Sequence, residues 1–283
     1  MRWDRLRRSR NINDMRGQSS ERRIGLPIGR GGGLGFIAIV VLAALFGGPE
    51  VLNLLLGSGV GTAPPSTSTT PARLDDTASA FVASILGSTE DVWGSFYRSA
   101  GGRYEAPLLT LFDGSVQSAC GFASAATGPF YCPADRRVYL DTSFFDELAR
   151  MGGPGDFAAA YVIGHEVGHH VQKLEGTADR VRAAQSNVDR GSANRLQVAM
   201  ELQADCYAGV WAHVANRQMQ VLEPGDIEEG LAAAAAIGDD RLQRNAGRRV
   251  APESFTHGSS AQRQEWLRRG LETGDPAVCN TFE

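Results

Sequence analysis

Residues 165–169 read His165-Glu166-Val167-Gly168-His169, and this spacing decides what the surrounding chain has to be. A helix turns about 100° per residue, so positions i and i+4 share a face roughly one turn apart. On a helix, the imidazoles of His165 and His169 can hold one Zn²⁺. Glu166 can then reach a water in the metal's open position, where a general base is needed. The chain has 5 His in 283 residues. Chance would produce the pentad about once in 200 such chains, so it takes its weight from its context.

The context begins with Asp156-Phe157-Ala158-Ala159-Ala160-Tyr161-Val162-Ile163-Gly164. Asp156 suits an N-cap and the alanines favour helix, which predicts a helix over about 157–174. A catalytic zinc site has three protein ligands and one open position. The remaining histidines are His170, His213 and His257, and His170 points well off the ligand face. Glu201 is the better third ligand. It lies in Glu201-Leu202-Gln203-Ala204-Asp205, within a stretch of about 193–217 where Leu196, Ala199, Leu202, Tyr207, Val210, Trp211 and Val214 recur at helical spacing. Asp205 shares the face of Glu201 and is placed to accept the outer N–H of a ligand histidine, fixing its tautomer. The alternative is that both acids are solvated groups on a helix surface.

A pentad followed about thirty residues later by E-x-x-x-D resembles the gluzincin metallopeptidases. More closely, the chain is similar to a bacterial family of neutral zinc metallopeptidases (YpfJ-like). The likeness runs through Arg8-Ser9-Arg10-Asn11-Ile12-Asn13-Asp14-Met15-Arg16-Gly17, Cys120-Gly121, Gly128-Pro129-Phe130-Tyr131-Cys132-Pro133, the pentad with His170, and Glu201 to Asp205. It continues through Ala236-Ile237-Gly238-Asp239-Asp240 and Phe255-Thr256-His257-Gly258-Ser259-Ser260. The resemblance implies a membrane-anchored, zinc-dependent peptidase with Zn²⁺ as cofactor. It supplies no substrate.

Composition is that of a globular protein, 42% hydrophobic and 21% charged, long enough for one sizeable domain with appendages. Charge is split. Residues 1–56 carry nine Arg against Asp4, Asp14, Glu21 and Glu50, whereas the remainder is acidic. An acidic main domain without a basic run argues against nucleic acid as a partner. The basic head precedes the apolar run Leu34-Gly35-Phe36-Ile37-Ala38-Ile39-Val40-Val41-Leu42-Ala43-Ala44-Leu45-Phe46, which continues less purely to Leu56. The unbroken part is short of the roughly 20 residues that span a bilayer. Hydropathy and flanking charge favour an uncleaved signal anchor over 31–56, with a cleaved signal peptide or a buried helix as alternatives. The positive-inside rule then puts residues 1–30 in the cytoplasm and the main domain outside, a single-pass protein of the bacterial cell membrane. Residues 57–73, rich in Gly, Ser, Thr and Pro, read as a flexible tether, with the folded domain over 74–283.

Four cysteines allow three connectivities. Cys120 with Cys132 as a local clasp, and Cys206 with Cys279 tying the C-terminal tail to the Glu201 helix, are favoured. Both would persist in an oxidising compartment. Cysteine ligation of zinc is the rival, weakened by the lack of a C-x-x-C pair.

The fold class expected is α+β and zincin-like: a small sheet, an active-site helix and a mostly helical C-terminal half, preceded by one transmembrane helix. Residues 75–99 read as helix, and 107–112 and 137–141 as strands. Segments around 116–122 and 128–132 are further strand candidates. In zincin peptidases, which this pattern resembles, an edge strand lies beside the zinc and pairs with substrate backbone. Asp226-Ile227-Glu228-Glu229 is a capping-box-like start of a helix, and Ser259-Ser260-Ala261-Gln262 starts the last one. His257, in the loop before it, is either an oxyanion hydrogen-bond donor or a structural surface histidine. Tyr207 and His213 read as core or surface residues of their helix.

The reaction expected is peptide-bond hydrolysis by a zinc-bound water, with Glu166 as general base and a peptide or protein as substrate. Two rivals remain. One is a membrane-tethered scaffold with a vestigial or structural zinc site, against which the intact Glu166 argues. The other is a metallohydrolase acting on a non-peptide amide, which the pentad does not distinguish.

Overall fold

Leu109, Leu111, Val138 and Leu140 lie on strands buried on both faces, each at most 1% exposed, as the central strands of a parallel sheet require. The computed structural model describes residues 1–17 and 76–282. Their strands are β1 (Ile12–Asp14), β2 (Leu108–Leu111), β3 (Ser115–Ser118), β4 (Gly121–Ser124), β5 (Phe130–Cys132) and β6 (Arg137–Leu140). One sheet has the order β1-β2-β6-β5. Its β1–β2 and β2–β6 pairs are parallel, and β5 runs antiparallel to β6 at the end of the sheet. Strands β3 and β4 form a separate antiparallel hairpin.

The helices are α1 (Thr77–Ser99), α2 (Phe144–Arg150), α3 (Asp156–Leu174), α4 (Thr177–Gln185), α5 (Arg190–Met219), α6 (Asp226–Ala236), α7 (Asp239–Asn245) and α8 (Ser260–Thr273). The described residues are therefore α+β, with a small sheet and a mostly helical remainder. Ile85, Trp93, Leu109, Ile163 and Val210 form a core between sheet, α1, α3 and α5. Leu148, Tyr161, Ala233 and Leu267 form a second cluster among α2, α3, α6 and α8.

Glycines set how closely α3 and α5 approach. A Cβ at Gly164 would lie 2.7 Å from the Trp211 ring, and one at Gly168 would lie 3.0 Å from the Ala204 carbonyl oxygen. The glycine inside the pentad thus lets α5 pass directly beside His165 and His169. A Cβ at Gly270 would overlap the Cys206 carbonyl, so α8 closes on α5 in the same way.

Both favoured disulfides are formed, Cys120–Cys132 and Cys206–Cys279. The first ties the β3–β4 turn to the end of β5. The second ties α5 to the 3₁₀ turn Pro276–Cys279. They close loops of 12 and 73 residues, worth about 3 and 4 kcal/mol as a restriction of the unfolded chain.

Three expectations need correction. Residues 1–17, assigned by charge to a cytoplasmic segment over 1–30, pack into the same unit as the main domain. Strand β1 pairs with β2, Leu6 is 6% exposed, and Ser9 N–H donates to the Ala83 carbonyl. Arginines that suggest a cytoplasmic head are paired with acids of the main domain: Arg7 with Glu90 and Asp91, and Arg16 with Asp76 as well as with its neighbour Asp14. Next, Gly155 and not Asp156 is the N-cap of α3. Asp156 is its first residue and holds the Met1 ammonium at 2.7 Å. Lastly, Gly225 caps α6, and the Glu229 carboxylate serves α3 instead, accepting from Phe157 N–H at 3.1 Å. The expected anchor over 31–56 and tether over 57–73 lie outside the described residues. No helix among the described residues is long and apolar enough to cross a membrane.

A fragment 72–283 loses β1, the Leu6 side chain and the Arg16 network. Burial of one leucine contributes about 1.5–3 kcal/mol. The fragment is expected to be at least about 2 kcal/mol less stable than the full chain in urea unfolding. Equal midpoints and slopes would show that residues 1–17 contribute nothing.

Candidate metal centre

Helix α3 carries His165, Glu166 and His169, and α5 brings Glu201 onto the same side. His165 Nε2 lies 3.2 Å and His169 Nε2 3.5 Å from Glu201 Oε2. One donor atom from each of the three falls within 4.8 Å of the others. Two imidazole nitrogens and a carboxylate oxygen at this spacing are a donor set suited to Zn²⁺.

The outer atoms of all three are tied. His165 Nδ1 donates to Asp205 Oδ1 at 2.8 Å, and His169 Nδ1 to Gln172 Oε1 at 2.8 Å. Gln197 Nε2 donates to Glu201 Oε1 at 2.9 Å. These bonds leave each Nε2 and one carboxylate oxygen turned inward. Asp205 is fully buried and Arg263 is 2% exposed. The Arg263 guanidinium forks onto Asp205, with Nε to Oδ2 and Nη2 to Oδ1 both at 2.8 Å. Tyr161 O–H also donates to Asp205. Sequence reasoning places Asp205 but misses Tyr161, Gln172 and Arg263. Tyr161 and Gln172 stand one turn from His165 and His169 on their own helix, so spacing could have found them. Arg263 comes from α8, and only the need of a buried aspartate for a cation pointed to it.

Burial alone would lower both imidazoles and raise both carboxylates. The charges inside the cluster oppose this and win. Asp205 and Glu201 raise His165 to about 9 and Glu201 raises His169. The imidazoles hold Glu201 well below the usual carboxylate range, and Arg263 with His165 holds Asp205 down to about 2. Two imidazoles packed among acids take up protons where a cation would sit, and metal binding releases them.

The cluster opens into a cleft of about 680 Å³ that Glu166, His257, Phe130 and Tyr131 also line. Glu166 is 7% exposed, and its carboxylate makes no hydrogen bond to the described residues. His257 is half exposed. Asp239 takes three backbone N–H bonds, from Thr256, His257 and Gly258, and its second oxygen lies 3.3 Å from His257 Nδ1. That hydrogen bond raises the His257 imidazole against its partial burial. Strand β5 pairs with β6 alone among the described strands, so the sheet's edge lies at the cleft.

The other candidates lie elsewhere. His170 is fully buried off the ligand face, and burial lowers it below the ordinary histidine range. His213 faces the Leu271 carbonyl, and Tyr207 O–H donates to Glu175. Asp156, Asp226 and Glu229 form a second acidic group. The Met1 ammonium and the Phe157 N–H already occupy it.

A family model described as "Putative neutral zinc metallopeptidase" matches residues 1–282. Uncharacterized protein YpfJ of Escherichia coli (strain K12) is 48% identical over 288 residues, covering 100% of this chain and 99% of the relative. Uncharacterized protein Rv2575 of Mycobacterium tuberculosis (strain ATCC 25618 / H37Rv) is 49% identical over 191 residues, 63% of each chain. No solved structure matches.

Proposed function

The chain belongs to the neutral zinc metallopeptidase family, and from that premise we propose that it hydrolyses peptide bonds of a peptide or protein substrate, with His165, His169 and Glu201 as ligands of its zinc and Glu166 as general base. Bound there, Zn²⁺ supplies a Lewis acid that activates water at neutral pH and polarises the scissile carbonyl. Glu166 takes the proton of the attacking water and passes it to the leaving amine. His257, its Nδ1 on Asp239, donates from Nε2 to the carbonyl oxygen as charge develops there. Asp205 and Gln172 fix the tautomers of His165 and His169, so that both present Nε2. The free edge of β5 offers N–H and C=O groups to an extended substrate backbone, in the manner of a zincin-like peptidase.

One observation carries this reading: a cluster of three ligands opens into a cleft beside the Glu166 carboxylate, which has no hydrogen-bond partner among the described residues. A structural zinc site would be closed by a fourth protein ligand. The two disulfides fit an oxidising, extracytoplasmic compartment.

The test uses the zinc-loaded full chain, because residues 1–17 belong to the folded unit. Wild type and Glu166→Gln are incubated with a diverse peptide library and cleavage is read by mass spectrometry. Cleavage by wild type alone supports the proposal. Cleavage by neither, with zinc bound and the fold intact, overturns it. Glu201→Ala is expected to weaken zinc binding by about 100-fold in chelator competition, the upper end of what losing even an outer partner of a ligand costs. Wild-type affinity in that variant would remove Glu201 from the ligand set.

A further inference from the structure

His170 follows the second ligand histidine directly and takes no part in the metal cluster. Its Nε2 lies 2.6 Å from the carbonyl oxygen of Glu105, and its Nδ1 lies 3.1 Å from the Tyr131 hydroxyl. The roles follow from the partners. A carbonyl can only accept, so Nε2 carries the proton and Nδ1 accepts from Tyr131 O–H. The ring is packed edge-on against Tyr104 and Tyr131, with centroids at 5.8 and 5.4 Å.

Tyr131 is the middle residue of β5, the edge strand at the cleft. Its two neighbours are committed to other parts of the fold. Phe130 stacks on Tyr139 with centroids 4.9 Å apart, and Cys132 closes the disulfide to Cys120. Tyr131 therefore links this strand to α3. The strand is three residues long and, among the described strands, is laddered on one side only. A strand so short has little stiffness of its own, and its place depends on such ties.

We propose that His170 is a positioning residue: through Tyr131 it fixes the β5 edge relative to His165 and His169 on the same helix, so that a backbone paired to β5 arrives over the ligand cluster. The role assigned to the paired backbone rests on the peptidase reading. The mechanical coupling of His170 to β5 does not.

The experiment separates the two. His170→Phe keeps an aromatic ring and removes both hydrogen bonds, and Tyr131→Phe removes only the shared one. Each variant of the zinc-loaded full chain is expected to raise hydrogen exchange at the amides within residues 128–133 (Gly128, Phe130, Tyr131 and Cys132, since Pro129 and Pro133 carry none) by about 10-fold, the scale of one lost buried hydrogen bond. Zinc affinity is expected to stay at the wild-type value. KM for a cleaved peptide is expected to rise about 10-fold with kcat within about twofold, since the bond orients substrate and not the reacting atoms. The double variant is expected to be no worse than His170→Phe, because the bond that Tyr131→Phe breaks is already lost in His170→Phe. His170→Gln, which can donate and accept, restores part of the effect.

Unchanged exchange across 128–133 in Tyr131→Phe, whose fold has only a hydroxyl to lose, overturns the coupling. A fall in kcat and zinc affinity at constant KM overturns the positioning role and points to a disturbed α3. Should the wild type cleave no peptide, the exchange measurement still decides the coupling, and the functional proposal fails by itself.

Discussion

Replacing Glu166 with glutamine is expected to lower kcat/KM for peptide cleavage by about 10²–10⁴-fold, the range a positioned acid–base group supplies. Glutamine has the same shape but cannot accept a proton at neutral pH. The substitution should touch little else. The carboxylate has no hydrogen-bond partner among the described residues, so no bond is broken in the fold. The proposed ligands His165, His169 and Glu201 keep their outer partners Asp205, Gln172 and Gln197. Zinc content and urea midpoint should therefore match wild type while turnover collapses. A loss below about threefold at full zinc occupancy would mean that another group takes the proton.

Asp205→Ala is expected to destabilise the fold by about 3–5 kcal/mol, the cost of leaving a buried charge without its partner. The charge is Arg263, 2% exposed and held at two atoms by this one carboxylate. The same substitution removes the acceptor of His165 Nδ1–H, which is expected to weaken zinc binding by about 10–100-fold. The two effects can be separated. Adding Arg263→Met removes the stranded cation and should restore much of the stability, whereas zinc affinity should stay low because His165 still lacks its partner. Urea unfolding and chelator competition read the two quantities independently. Destabilisation of Asp205→Ala below about 1 kcal/mol would show that Arg263 finds another counter-ion or reaches water.

What could be read in the sequence was what helical periodicity encodes. His165 and His169 share a face by spacing, and so do Glu201 and Asp205, because a helix fixes the direction of each side chain from its index alone. The structure brings these four together. The central strands and the Cys120–Cys132 disulfide were legible for similar local reasons, the largely apolar stretches at 108–111 and 137–140 and the short separation of the two cysteines; Cys206–Cys279 then followed as the remaining pair. Arg263 was not, since its partner Asp205 lies 58 positions away and nothing in α8 marks one arginine among several. The loop of His257 was legible only as a leftover histidine. What shapes it is Asp239, whose carboxylate gathers three successive N–H groups that no propensity scale sees. Strand β1 failed for a different reason. Charge was summed along the chain as if residues 1–17 faced solvent, whereas their counter-ions Glu90, Asp91 and Asp76 sit far downstream.

Arg16 clasps Asp14 and Asp76 at 2.7 Å each, so the end of the first described stretch and the start of the second are stitched together at a single seam of one folded unit. Residues 1–17 consequently share a compartment with the disulfides, and sidedness labels placed on either stretch must report the same side.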